Sequence, residues 1–249
     1  MGAISKTIHY CWFGGKALPR SAKNYIKTWV KYFPGYEIKE WNESNFDVNI
    51  VPYTADAYNA GKFAFVSDFA RFWILYHFGG VYFDVDVEAV RPIDDILADG
   101  PFMAMERAVR PEGRTYGIAP GLGIAAEAGN ELYRQILEHY GTLQYGECNE
   151  QGRQLNVVDI ISRVFLKYGW KDEDVIQDCG GIKIYPTDYF CPEIPRGKSE
   201  YELSQNTRTI HHYAGTWLPK SVRIKNKIGD FVGPSVLNFL VRVKSLFKR

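Results

Sequence analysis

With 249 residues and 46% hydrophobic content, the chain can bury a substantial core, and a net charge of +1 leaves no electrostatic footprint for a nucleic-acid partner. Four cysteines, Cys11, Cys148, Cys179 and Cys191, lack any C-x-x-C pairing, so neither a zinc pattern nor a disulfide framework is signalled and a reduced compartment is the simpler reading. The opening MGAISKTIHY has no apolar h-region, and no apolar run reaches about 18 residues, so the sequence reads as cytoplasmic.

Residues 6–13 (KTIHYCWF) predict a first strand closed by Gly14-Gly15, with neither a G-x-G-x-x-G nor a Walker lysine behind it. Residues 21–33 carry apolar positions at helical spacing, Tyr25, Ile26, Trp29 and Tyr32 or Phe33, with Ser21 as the expected cap. Pro34-Gly35 ends that helix, residues 36–41 alternate as a strand, and residues 55–60 suggest a short helix.

The richest stretch follows. Ser67 reads as an N-cap, Asp68 as a first-turn acid and Arg71 as its i, i+3 partner, and the helix stops at Gly79-Gly80. Val81, Tyr82, Phe83, Val85 and Val87 are strand formers, so strand periodicity points Asp84 and Asp86 to one face. Two adjacent carboxylates repel, and either solvent or a hard divalent cation such as Mn²⁺ or Mg²⁺ must offset the repulsion.

Downstream, residues 94–97 suggest a helical turn, 101–106 a strand and 107–120 a surface loop. Residues 121–127 are rich in small side chains, and helices are expected at 129–139, capped by Asn130, and at 156–168. Strands are expected at 182–185 and 209–212. In the second, His211 and His212 must face opposite ways, so one of them can meet a metal. Residues 220–249 turn basic, and 234–247 fit an amphipathic helix that either rests on an anionic membrane or docks on the core.

The run S-D-x-x-R followed by G-G-V-Y-x-D-x-D resembles the D-x-D sugar-binding region of glycosyltransferase family 32 and is similar to the catalytic domain of the large clostridial glucosylating toxins. The opening I-H-Y-C-W-F-G-G and the late H-Y-A-G-T-W resemble that family's first strand and its H-x-x-x-S-W pattern. The resemblance implies an α/β GT-A fold, a Rossmann-like mixed sheet flanked by helices, as one domain over residues 1–219, to which the basic, amphipathic pattern of 220–249 adds an expected helical extension. It implies a divalent metal, Mn²⁺ or Mg²⁺, a nucleotide-sugar donor and retention of configuration.

By the same resemblance Trp12 stacks on the donor's uracil, with His9 and Tyr10 lining the base pocket, although His9 alone reads better as a core residue. Asp68 and Arg71 hold donor sugar hydroxyls and Tyr82 supports the ribose. Asp84 and Asp86 hold the metal with His212, while Thr216 and Trp217 close over the diphosphate. Asn156 and Asp159 are acceptor-side candidates whose simpler reading is a cap and a solvated acid. The function implied is transfer of a hexose, glucose or galactose favoured, from a UDP-linked donor to a hydroxyl of a glycan or lipid-linked oligosaccharide. A mannosyltransferase using GDP-mannose, a D-x-D phosphatase and a non-catalytic sugar-binding protein are the alternatives. No nucleic acid is expected as a partner, and membrane contact is expected to be peripheral.

Overall fold

A computed structural model describes residues 2–107, 113–148, 152–195 and 200–215. The chain begins with β1 (Thr7–Cys11), α1 (Arg20–Tyr32), β2 (Glu37–Trp41), α2 (Pro52–Asn59) and α3 (Phe63–Phe78). Next come β3 (Gly80–Tyr82), β4 (Val87–Ala89), α4 (Asp94–Ala98), β5 (Phe102–Arg107), β6 (Tyr116–Ile118) and β7 (Ile124–Ala126). Helices α5 (Glu131–Thr142) and α6 (Val157–Leu166), strands β8 (Gln177–Cys179) and β9 (Ile182–Tyr185), α7 (Thr187–Phe190) and β10 (Thr209–His211) complete it.

The main sheet has the order β2-β1-β3-β7-β5-β9-β8, with β6 paired to β5. Strand β1 runs parallel to β2 and β3, and β5 parallel to β9. Strand β7 is antiparallel to both β3 and β5, so one reversed strand joins two parallel halves. The sheet is mixed and the chain α/β, as expected from the sequence. A separate antiparallel pair, β4 with β10, stands beside it.

Local chemistry explains the joints. Helix α3 buries residues nearly all round its surface, Val66, Phe69, Ala70, Phe72, Ile74 and Leu75 among them, as a central helix must. It ends because Gly79 and Gly80 adopt φ of 63° and 103°, and a Cβ on Gly80 would come within 2.6 Å of the Thr7 carbonyl. Helix α1 is tied to β4 by Trp29 Nε1–H donating to Val87 O (2.8 Å) and Ala89 N–H donating to Thr28 Oγ1 (2.9 Å). Asn130 caps α5 as expected.

Several local expectations are corrected. Helix α1 starts at Arg20 behind Pro19, and Ser21 makes no cap. Helix α3 starts at Phe63, so Ser67 and Asp68 lie past its first turn, and Ser67 Oγ donates to Phe63 O instead of capping. Asp84 and Asp86 do not sit on a strand. The chain turns between β3 and β4, with Val87 N–H bonded to Asp84 O at 3.0 Å. The chain divides into a unit ending at His212 and a second beginning at Tyr213. The expected boundary at 219/220, the helical extension, Thr216 and Trp217 lie outside the described residues. Among the described residues no helix is long and apolar enough to cross a membrane.

Candidate active site

Strands β1 and β3 are parallel, so their carboxyl ends open at the same edge, the usual place for a ligand on an α/β sheet. The turn after β3 delivers Asp84 and Asp86 to that edge. Asp84 is fixed from three sides. Its Oδ1 accepts from Arg71 (3.2 Å) and from the Tyr82 hydroxyl (2.9 Å), and its N–H donates to Gly121 O (3.0 Å). Its Oδ2 lies against the bare Cα of Gly121, where a Cβ would stand 2.1 Å away.

Arg71 is buried and serves two acids, since its Nη2 also lies 3.0 Å from Asp68 Oδ1. Burial works against its charge, but Asp84, Tyr82 and Asp68 more than compensate and its pKa rises. One guanidinium for two carboxylates leaves the group short of positive charge. Burial accordingly pushes Asp68 up to about 7, even with Arg71 beside it. Burial also raises Asp84, opposed by Arg71 and reinforced by Asp86.

Asp86 meets the chain's far end. His211 Nε2 lies 3.1 Å from Asp86 Oδ1, and ligand atoms of Asp84, Asp86 and His211 fall within 4.8 Å of one another. Burial disfavours protonation of His211, yet Asp86, by charge and hydrogen bond, and then Asp84 bring its pKa above the ordinary value. Two carboxylate oxygens and an imidazole are a donor set suited to Mn²⁺ or a similar divalent ion, and a cation would relieve the negative excess described above. The residues therefore fit the expected metal.

The late histidine pair divides as the strand argument requires, but the other way round from the expectation. The His212 ring is not among the groups that converge with Asp84 and Asp86. Its Nε2 lies 2.8 Å from Glu88 Oε2 and its ring stacks on Tyr25, while His211 faces Asp84 and Asp86.

The remaining expected residues fall into two groups. Trp12 is half-buried at the carboxyl end of β1, its indole N–H donating to Lys16 O at 2.5 Å. His9 is a core residue with both ring nitrogens engaged, by Gly79 O and by Trp41 Nε1–H, and it does not line a base pocket. Tyr10 is likewise buried, its hydroxyl donating to Glu40. Tyr82 is 0% exposed, so it orients Asp84 and does not touch a ribose. Asn156 and Asp159 form a reciprocal capping box on α6, and Asp159, 0% exposed, also takes Arg153 at 2.7 Å, so both side chains are committed to structure.

Gly121, His211 and Glu88 were missed as site residues. Asp84-x-Asp86-x-Glu88 is a visible alternation, but nothing local distinguishes His211 from His212 or marks which glycine approaches Asp84.

Residues 19–103 match the family described as glycosyltransferase sugar-binding region containing DXD motif, a span from the start of α1 into β5 that includes Asp68, Arg71, Tyr82, Asp84 and Asp86. That segment is similar to the sugar-binding region of D-x-D glycosyltransferases and contains both members of the D-x-D pair, Asp84 and Asp86. Two Schizosaccharomyces pombe (strain 972 / ATCC 24843) proteins are similar in sequence. Inositol phosphoceramide mannosyltransferase 1 is 28% identical over 114 residues, 41% of this chain and 34% of that protein. Inositol phosphoceramide mannosyltransferase 3 is 29% identical over 119 residues, 45% of this chain and 31% of that protein. The chain spans about a third of the length of these curated relatives. A solved structure, the PaToxG glycosyltransferase, is 19% identical with a TM-score of 0.45, covering 66% of this chain and 69% of that one.

Proposed function

We propose that the protein transfers a hexose from a nucleoside diphosphate sugar to a glycan hydroxyl, with a divalent cation and with retention of anomeric configuration. The observation that carries this reading is the convergence of Asp84, Asp86 and His211 beside the buried Asp68–Arg71 pair, within a chain whose segment 19–103 matches the D-x-D sugar-binding region. When bound, the cation supplies Lewis-acid stabilisation of the charge that develops on the leaving diphosphate.

The protein's own groups do the rest. Tyr82, Gly121 and Arg71 hold the Asp84 carboxylate in one orientation, so little reorganisation is needed when the donor arrives. Asp68 and Arg71 meet hydroxyls of the donor sugar, and Trp12 stacks on the base. In a front-face displacement the leaving phosphate takes the proton of the acceptor hydroxyl, which needs no covalent nucleophile from the chain.

A UDP-linked glucose or galactose follows from the family resemblance. The two relatives named as mannosyltransferases favour a second reading, GDP-mannose as donor. Action in the cytoplasm, on a glycan or lipid-linked acceptor reached through the basic residues 220–249, completes the proposal and rests on sequence alone.

The test is a panel of UDP- and GDP-sugars incubated with Mn²⁺ or Mg²⁺, followed by mass spectrometry. Metal-dependent hydrolysis or transfer of one donor is expected. Phosphate release from simple phosphate esters instead would identify a D-x-D phosphatase, and sugar binding without turnover a non-catalytic protein.

A further inference from the structure

Next to Asp86 lies a second group of side chains with no part in holding Asp84. His212 N–H donates to Asp86 O (3.0 Å), and His212 directly follows His211 in the chain. Its ring lies flat on Tyr25, centroids 4.5 Å apart at 9°, and the Tyr201 ring meets it edge-on at 5.7 Å. Glu88 Oε2 stands 2.8 Å from Nε2. In the neutral ring the proton therefore sits on Nε2, which donates to Glu88, and Nδ1 is left as an acceptor with no hydrogen-bond partner among the described residues. The His212 and Glu88 side chains are 22% and 33% exposed, open enough to meet a ligand and enclosed enough to orient it.

Aromatic rings beside a carboxylate suit a sugar, whose C–H face packs on rings while its hydroxyls take polar partners. The group adjoins the candidate metal ligands Asp86 and His211 and shares no side chain with the Asp68–Arg71 pair assigned to the donor sugar. We infer that Tyr25, His212, Tyr201 and Glu88 form the acceptor subsite, with His212 Nδ1 accepting a hydrogen bond from a hydroxyl of the acceptor hexose and Glu88 acting as a positioning residue that fixes the imidazole tautomer. The inference rests on the glycosyltransfer reading and assigns no proton transfer to His212.

The test uses the full chain with Mn²⁺, the nucleotide sugar found active in the donor panel, and methyl glucoside, galactoside and mannoside as acceptor probes. Transfer to each probe and hydrolysis to water are measured together in the wild type, His212→Ala, His212→Gln and Glu88→Gln. Expected is transfer to at least one methyl hexoside in the wild type. His212→Ala shifts the partition between hexoside and water at least tenfold towards water, through a raised hexoside KM. Glu88→Gln shifts it in the same direction, and His212→Gln, which retains an acceptor oxygen, recovers part of the loss. Mn²⁺ binding, read by electron paramagnetic resonance, distinguishes a subsite from a support of the metal centre: a loss of Mn²⁺ affinity that parallels the loss of transfer overturns the inference. So do an unchanged partition in His212→Ala and donor hydrolysis without transfer to any hexoside. Absence of both hydrolysis and transfer in the wild type counts against the glycosyltransferase reading itself.

Discussion

Asp84 is surrounded by groups that leave its carboxylate one place to be, and Gly121 is the most exacting of them. Its φ lies outside the left-handed region, so what forbids a side chain there is space: a Cβ would meet Asp84 Oδ2 at 2.1 Å and Arg71 Nη1 at 3.3 Å. Gly121→Ala is expected to displace the carboxylate and to lower Mn²⁺ affinity by about tenfold, the lower end of what outer-sphere changes cost, as isothermal titration with the ion would show. Asp86→Asn is expected to abolish metal-dependent turnover while leaving the thermal melt near that of the wild type, and retained activity would remove Asp86 from the metal role. Trp12→Ala is expected to weaken UDP binding by about 1–3 kcal/mol through loss of a base stack, and unchanged affinity would place the base elsewhere. At this scale the sequence was legible where spacing carries chemistry. Asp68, Arg71, Asp84 and Asp86 do come together, whereas the choice between His211 and His212 depends on which face of β10 meets the turn, and that is set by pairing with a distant strand.

Elements were legible where one periodicity dominates. The amphipathic α1 and α6 and the strands β1, β2 and β9 fall within a residue or two of their expected limits. Helix α3 was expected too late because Ser67 looks like a cap, but apolar Phe63, Phe65 and Val66 ahead of it extend the buried surface by another turn. The turn carrying the acids was read as strand because its residues are strand formers. Burial of Phe83 and Val87 drives that composition, not ladder pairing at Asp84 and Asp86. The contact that keeps this region in place is helix α1 on β4. Thr28→Val preserves shape but strips the partner from the buried Ala89 N–H, and equilibrium urea unfolding is expected to show a loss of about 1–3 kcal/mol.

The whole molecule carries a built-in acid sensitivity at a buried histidine of β1. His9 Nδ1 accepts from Trp41 Nε1–H, so a proton on Nδ1 would face another donor. Burial lowers its pKa from 6.5 to about 4, offset in part by Gly79 O and helped by Lys39. A depressed folded-state value means that the contribution is fully present above pH about 6.5 and is lost as pH falls through about 4. Up to about 3 kcal/mol is at stake across that window, at roughly 1.4 kcal/mol per pH unit. Urea midpoints measured from pH 7 to 4 are expected to fall more steeply for the wild type than for His9→Gln. Equal slopes would show that His9 is not the group responsible. The order of the sheet was not legible in advance, because the reversed β7 between β3 and β5 is a long-range pairing that no local pattern encodes.

The pairing of β4 with β10 joins two three-residue strands half the chain apart, and the third ligand of the candidate metal centre rides on the later one. An ion held by Asp84, Asp86 and His211 would act as a clasp on that ring of polypeptide, because opening the short ladder would also strip the ion of its imidazole. Arg91 donating to Ser204 O and Thr207 O, and Arg208 bonded to Asp95, hold the same junction, so the ion would add to contacts that already offset the entropy of so long a closure. Amide hydrogen exchange at Thr209, Ile210 and His211 is therefore expected to slow on addition of Mn²⁺, and the extent of the slowing reports how far the ion holds the β4–β10 ladder closed.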